Sequence, residues 1–372
     1  MTGPRLTPLV QSLPATVPFV GPEAQERSSG RRFVARVGAN ESLFGPSPKV
    51  IEAIRDAATG AWKYGDPENF ELKQMLAGYL EIAPDCVVVG EGIDGLLGYV
   101  ARMFVTQSDH VVTSDGAYPT FNYHVNGYGG TLHKVPYRDD REDPEALLAK
   151  AEEVGAKLIY LSNPDNPMGS WHDAETIQSM IDRVPEGTLL VLDEAYAEFA
   201  PEGTLPRIDP DTSSVIRMRT FSKGYGLAGM RVGYAIGHPD LIKAFDKVRN
   251  HFGMCRLSQW AALAALNDQE YLQQVVGQVS ASRLRIAQIA QSHDLTPVPS
   301  ATNFVTLDCG ADAVFAKALL DTLIARGIFV RMPFAEPGNR CIRVTCGPEA
   351  EMEAFAKALP AALQAAKDHI SA

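Results

Sequence analysis

Cysteine, positive charge and long apolar runs are all scarce in this chain, and each shortage closes off a class of protein. Its five cysteines, Cys86, Cys255, Cys309, Cys341 and Cys346, are odd in number and show no CxxC spacing. A disulfide framework and a zinc site are therefore excluded as organising features, and reduced thiols in a cytoplasm are expected. Lysine and arginine number 34 against 45 aspartates and glutamates, a formal net charge of -11. Such a balance argues against nucleic acid or an anionic membrane as the main partner. No stretch approaches the roughly 20 apolar residues that span a bilayer. The start, "MTGPRLTPLVQSLPATVPFVGPEAQERSSGRR", is rich in proline and lacks a continuous apolar core of signal-peptide length. It reads as an irregular arm, residues 1–35, in a soluble cytoplasmic protein. No GxxxxGK[ST] loop follows a strand; "GEGIDG", residues 90–95, does carry the GxGxxG spacing, which alone is a weak signal for a dinucleotide turn.

What is present is a globular composition, 45% apolar and 21% charged, over 372 residues. That length accommodates one large and one smaller domain, each with its own core. From about position 48, helical patterns such as "PKVIEAIRDAATG", "NFELKQMLAGYL" and "GLLGYVARMF" alternate with short apolar runs. The runs "CVVVG", "HVVTS", "KLIYLS", "TLLVLDEAY", "SVIRMRTFS" and "RVGYAI" are apolar on both faces, as in a parallel sheet covered by helices on each side. A doubly wound, mostly parallel α/β domain over 36–255 is expected. After about position 238 helices dominate. Strands "NFVTLD", "GIFVRM" and "CIRVTCG" then alternate with two further helices, a smaller α/β domain over 256–372.

In open α/β sheets, ligands sit beyond the carboxyl ends of the strands. Three successive strand ends here read "YLSNPDNPMGS", "VLDEAY" and "RTFSKGYGLAGMR". They offer an amide, a carboxylate with a phenol, and a hydroxyl with an amine. Each piece has an ordinary reading: Asn-Pro steps make turns, a terminal Asp-Glu starts a helix, a lysine decorates a surface. Together and in this order they suit pyridoxal phosphate. That cofactor needs an amine for its aldehyde and an ionised carboxylate against its ring nitrogen. Its ring oxygen takes donors, and its phosphate takes hydroxyls, helix-start N–H groups and an arginine fork.

The ordered set Asn-Pro-x-Gly, Asp-x-x-Tyr, Ser-Lys and an arginine eight residues later resembles the fold-type I pyridoxal-phosphate aminotransferases of class I/II. With "GANESLFGPSP", "KYGDPENF", "GEGIDGLL" and "NPDNPMG" it is most similar to the histidinol-phosphate aminotransferase subfamily, over positions 36–358. The resemblance implies that Lys223 is the Schiff-base lysine and Asp193 the partner of the ring nitrogen. Asn166 and Tyr196 would contact the ring oxygen, and Ser222 and Arg231 the phosphate. Gly92, Ile93 and Asp94 take the phosphate-loop position, Phe121 that of the ring stacked on the cofactor. Tyr64 matches a tyrosine reaching in from a neighbouring subunit, which implies a homodimer with shared active sites. Arg343 matches the arginine for the substrate α-carboxylate, Arg331 falls near a second substrate arginine, and Asn40 lies in the substrate-binding N-terminal motif.

Departures accompany the match. The N-terminal motif reads Asn40-Glu41-Ser42-Leu43, without the proline usual after Asn-Glu, and Ile93 stands where a hydroxyl or small residue is common. "RNHFGMCRLSQW" differs from the segment expected to serve a second phosphate, although His251 and Arg256 in it suit an anionic substrate. Arg219 takes no role. The expected reaction transfers an amino group from histidinol phosphate, or an aromatic or other amino acid, to a 2-oxo acid such as 2-oxoglutarate. A decarboxylase of the phospho-amino-acid type uses the same residues but breaks the carboxylate bond. A non-catalytic binding module calls for a basic helix-turn-helix segment, and the short arm leaves no room for one.

Overall fold

The structure, a computed structural model, describes residues 3–15 and 20–371. Residues 1–2 and 16–19 of the expected arm, and Ala372, lie outside the described residues. The rest of the arm is less irregular than its prolines suggest. It forms the short helices Pro8–Ser12 and Pro22–Ser29, each with proline in its first turn, where the missing N–H is no loss.

The larger sheet has seven strands: β1 (Val87–Gly90), β2 (His110–Ser114), β3 (Thr131–Val135), β4 (Leu158–Ser162), β5 (Leu189–Asp193), β6 (Val215–Thr220) and β7 (Gly233–Ile236). Their order is β1-β7-β6-β5-β4-β2-β3, and only β7 runs antiparallel to its neighbours. The doubly wound, mostly parallel α/β reading therefore holds. One strand went unread: β3 ("TLHKV") lies at the sheet edge, where its polar residues face water.

Period-two alternation in β4 shows how both faces are buried. Leu158 and Tyr160 join one apolar cluster with Leu96 and Phe121. Ile159 and Leu161 join another with Leu147, Ile177 and Leu190 on the opposite face. Each such fully buried side chain contributes about 1.5–3 kcal/mol. The covering helices are closed locally. Asp143, for example, accepts from the N–H groups of Glu145 and Ala146 at the start of Pro144–Val154, and Gly155 ends that helix in a left-handed conformation. Because β4, β5 and β6 are parallel neighbours, their carboxyl ends stand side by side.

A second, antiparallel sheet of β8 (Thr296–Pro297), β9 (Phe304–Asp308) and β10 (Cys341–Thr345) has β9 in the middle. The helices Ala313–Ala325 and Glu349–Ser371 share its core, which also takes in Ala35 and Val37. Ala35–Arg36 pairs in parallel with Ile328–Phe329, so the start of the expected large domain is tied to the C-terminal module. The helix Arg256–Leu266 corrects the expected division at 256. Ala261, Ala262 and Leu266 pack with Val50, Leu72 and Phe221 on the large-sheet side. Among the described residues no helix is long and apolar enough to cross a membrane.

Candidate active site

A cleft of about 260 Å³ opens above the carboxyl ends of β4, β5 and β6. Asn166, Asp193, Tyr196, Ser222, Lys223 and Arg231 all line it, together with Ile93 and Asp94. Their distance in sequence is removed by topology alone, since each follows one of the parallel strands or begins the helix Gly92–Phe104 after β1.

Asp193 ends β5 with 4% of its surface exposed. Its Oδ2 accepts from the Tyr160 hydroxyl at 2.7 Å and its Oδ1 from the Ala195 N–H at 2.9 Å. Burial pushes its carboxyl up to about 6, and the Tyr160 hydrogen bond opposes that rise. Lys223 lies across the cleft, its Nζ donating to the Asn40 carbonyl at 3.0 Å and standing 5.5 Å from the Tyr196 ring centroid. Burial, helped by the positive charge of Arg343, pushes its amine down to about 8. The Tyr196 phenol accepts from Asn40 Nδ2 at 3.2 Å, and burial pushes it up to about 12. It is a neutral donor at physiological pH.

At one end of the cleft the helix Gly92–Phe104 presents its N-terminus. Arg231 Nη1 lies 3.5 Å from Ser222 Oγ and donates to the Ala228 carbonyl at 3.0 Å, while Nη2 stands 3.9 Å from Asp94. Gly92 has φ +77, and a Cβ there would run into the Arg231 guanidinium. A backbone cradle, a hydroxyl and an arginine thus converge where only glycine fits, the donor set of a phosphate site. With a buried carboxylate and a depressed amine on the facing walls, the residues fit pyridoxal phosphate.

Arg343 and Arg331, of the C-terminal module, do not themselves line the cleft; Arg343 meets it through Asn166. Arg343, on β10, donates through Nη1 to Asn166 Oδ1 and stands 5.0 Å from the Phe304 ring centroid. Arg331 faces it across an antiparallel bridge, its N–H donating to the Arg343 carbonyl at 3.3 Å and its carbonyl accepting from the Arg343 N–H at 2.6 Å. Burial pushes Arg343 down to about 10; nearby Tyr196 opposes this and Arg331 reinforces it. Arg331 also donates to the Val20 carbonyl at 2.9 Å.

Two sequence assignments are corrected, those of Phe121 and Asn40. Phe121 does not line the cleft; it lies one turn into the helix Pro119–Gly127, fully buried and stacked on Tyr160 at 4.7 Å. Tyr118, at the start of that helix, does line it beside Tyr160 and Tyr196, and its hydroxyl donates to Asp94 at 3.0 Å. Asn40 is a brace, its side chain held between Tyr196 and Thr345 rather than facing substrate. Within this chain Tyr64 is 80% exposed, paired with Phe252 at 5.0 Å and away from the cleft. Nor do His251 and Arg256 line it; Arg256 stands over the Trp260 ring. Arg219 finds its place behind the wall, where Glu194 accepts from Arg217 and Arg219 at 2.9 and 2.8 Å. Burial raises the Glu194 carboxyl, but the two guanidinium groups outweigh it and hold it below its ordinary value.

Sequence reasoning missed Tyr160, Tyr118 and Glu41, which also line the cleft. Tyr160 was hidden in "KLIYLS", yet a phenol within a fully buried strand has to find a hydrogen-bond partner.

Comparison with known proteins agrees with this geometry. The family model for aminotransferase class I and II matches residues 34–359. Histidinol-phosphate aminotransferase 1 of Nitrosococcus oceani is 34% identical over 95% of this chain and 96% of its own length. The crystal structure of histidinol-phosphate aminotransferase from Sinorhizobium meliloti in complex with pyridoxal-5'-phosphate is 56% identical. It covers 97% of this chain and 98% of that one, with a TM-score of 0.95. An aspartate aminotransferase from Thermus thermophilus, 22% identical with a TM-score of 0.78, shares the fold.

Proposed function

We propose, for a chain that belongs to the class I and II aminotransferases and works through pyridoxal 5'-phosphate, that its amino donor is histidinol phosphate and its acceptor 2-oxoglutarate. The observation that carries this choice of donor is the opposition of Arg331 and Arg343 across one bridge. The reacting carbon of histidinol phosphate bears a methylene group carrying a phosphate ester where an amino acid bears a carboxylate. Two adjacent guanidinium groups suit a dianion, and one of them alone suits the carboxylate of the acceptor. The names of the relatives support the same reading; a decarboxylase is not favoured.

When bound, the cofactor supplies an aldehyde that exchanges with amines and a protonated ring that takes up electrons. Lys223 would hold the aldehyde carbon, and its amine is the group that would move a proton to and from the substrate α-carbon. Its depressed pKa leaves about a tenth of the amine unprotonated at pH 7, far more than an ordinary lysine has. Asp193 holds the proton on the ring nitrogen. Tyr196 donates to the ring oxygen, and so does the Asn166 amide, whose Oδ1 is already taken by Arg343. Ser222, Arg231 and the N–H groups from Gly92 to Asp94 would hold the phosphate. Tyr118, rather than Phe121, is the cleft-lining aromatic ring that would hold the cofactor ring. Arg343 and Arg331 orient the substrate, which is the proximity contribution.

The same proposal includes a homodimer in a cytoplasm, with Tyr64 reaching the phosphate of the partner's site. The exposure of Tyr64 beside Trp62 and Phe252 supports it. Two lobes complete it, a large cofactor-binding one and a smaller C-terminal one, the change falling near Asp268 rather than at 256. Screening amino donors against 2-oxoglutarate tests the substrate assignment. Histidinol phosphate is expected to give the highest kcat/KM; an aromatic amino acid preferred tenfold or more would overturn it.

A further inference from the structure

We propose that Tyr160 is a positioning residue for the cofactor: its hydroxyl holds Asp193 ionised and aimed at the ring nitrogen. This rests on the reading of Asp193 as the ring partner. Tyr160 is fully buried in the middle of β4, the strand next to β5, and its own register partner there is Val191. Its hydroxyl reaches the end of β5 and donates to Asp193 Oδ2 at 2.7 Å, within the cleft lining. Its ring is clamped on the other side by Phe121, stacked at 4.7 Å with an interplanar angle of 16°. A two-torsion side chain held in a close-packed core and stacked on a buried ring has little freedom, so the hydroxyl is fixed.

The carboxylate is thereby triangulated. Ala195 N–H holds Oδ1 from the chain just beyond β5, and Tyr160 holds Oδ2 from the neighbouring strand. A donor to the ionised form favours that form, and Asp193 needs the help. Burial and the negative charges of Asp94 and Glu194 push it toward its neutral state. The remaining charged or titratable groups that share the cleft with it are Lys223, Arg231, Tyr196, Tyr118 and Glu41. The phenol is a proton donor only, since burial raises its own pKa well above the ordinary value. The core position of Phe121 thus also gains a purpose: it is the stop behind the tyrosine.

Tyr160→Phe deletes the hydroxyl and keeps the ring and its stacking. Cofactor-free protein is titrated with pyridoxal 5'-phosphate, following the visible absorbance, from pH 5 to 8. Losing one hydrogen bond to a charged group is expected to weaken cofactor binding about tenfold. The pH below which affinity falls is expected to move upward, because Asp193 becomes easier to protonate. In an Asp193→Ala background the same change is expected to have no further effect. A pH-independent loss in Tyr160→Phe, or an undiminished loss in the Asp193→Ala background, assigns Tyr160 to packing and overturns the inference. Unchanged binding in Asp193→Ala itself would instead overturn the reading of Asp193 on which the inference rests.

Discussion

The two sides of the site are made by different means. The cofactor wall comes from adjacent carboxyl ends of one parallel sheet, where Asn166, Asp193, Ser222 and Lys223 follow β4, β5 and β6 in turn. Their positions are set by ladder hydrogen bonds a few residues away. The side proposed for substrate is Arg343 and Arg331 of the C-terminal module, which do not themselves line the cleft and meet its wall through single side chains. Arg343 reaches Asn166, and Arg340 forks onto Asp140 at 3.0 and 2.8 Å while its Nε reaches Asp308 at 2.7 Å. A sheet fixes one wall rigidly; the other is placed by a few charged contacts between lobes. Cofactor chemistry and substrate choice are therefore separable by mutation.

Lys223→Ala breaks the cofactor wall at its reactive atom, and turnover is expected to fall by about 10⁴-fold or more. A wild-type rate in that variant would remove Lys223 from the mechanism. Arg343→Lys attacks the other wall. Losing the planar fork is expected to lower kcat/KM about 10- to 100-fold for donor and acceptor alike, with cofactor affinity unchanged in an absorbance titration. Asn166 is the one side chain both walls share, so Asn166→Ala is expected to cost about tenfold in cofactor affinity and in KM together. If only one moves, the walls are coupled elsewhere.

Smaller effects test the electrostatics and the join. Burial lowers the Lys223 amine from 10.5 to about 8 in the fold. Between those values the unfolded chain binds the extra proton, so cofactor-free protein gains stability from this residue as pH rises through that window and lacks it below about 8. The thermal midpoint of wild type relative to Lys223→Met is expected to rise between pH 7.5 and 9.5; a flat difference contradicts the burial of the amine. Arg340→Ala removes a partly exposed tie between the lobes. It is expected to lower stability by about 1 kcal/mol, about 2 °C in thermal midpoint, leaving cofactor affinity as it was.

That contrast also explains what could be read without coordinates. Lys223, Asp193, Asn166, Ser222 and Arg231 were legible because strand ends follow from apolar runs and parallel strands bring their ends together. Phe121 was misplaced because "YPTF" holds two aromatic residues three apart, and only the helix phase decides that Tyr118 faces the cleft while Phe121 faces the core. Tyr160 was hidden among sheet-core residues, since an apolar run does not say which side chain ends at a carboxylate. The helix Arg256–Leu266 looked like the start of the C-terminal module because composition changes there, whereas its packing partners lie some two hundred residues earlier in the chain. Long-range packing leaves little local trace.

The most direct test of the account is to load the protein with pyridoxal 5'-phosphate, reduce it with borohydride and map the modified peptide by mass spectrometry. A single pyridoxyl adduct on Lys223 is the predicted result. An adduct on any other lysine, or none, would contradict the assignment from which every other role in the cleft is derived.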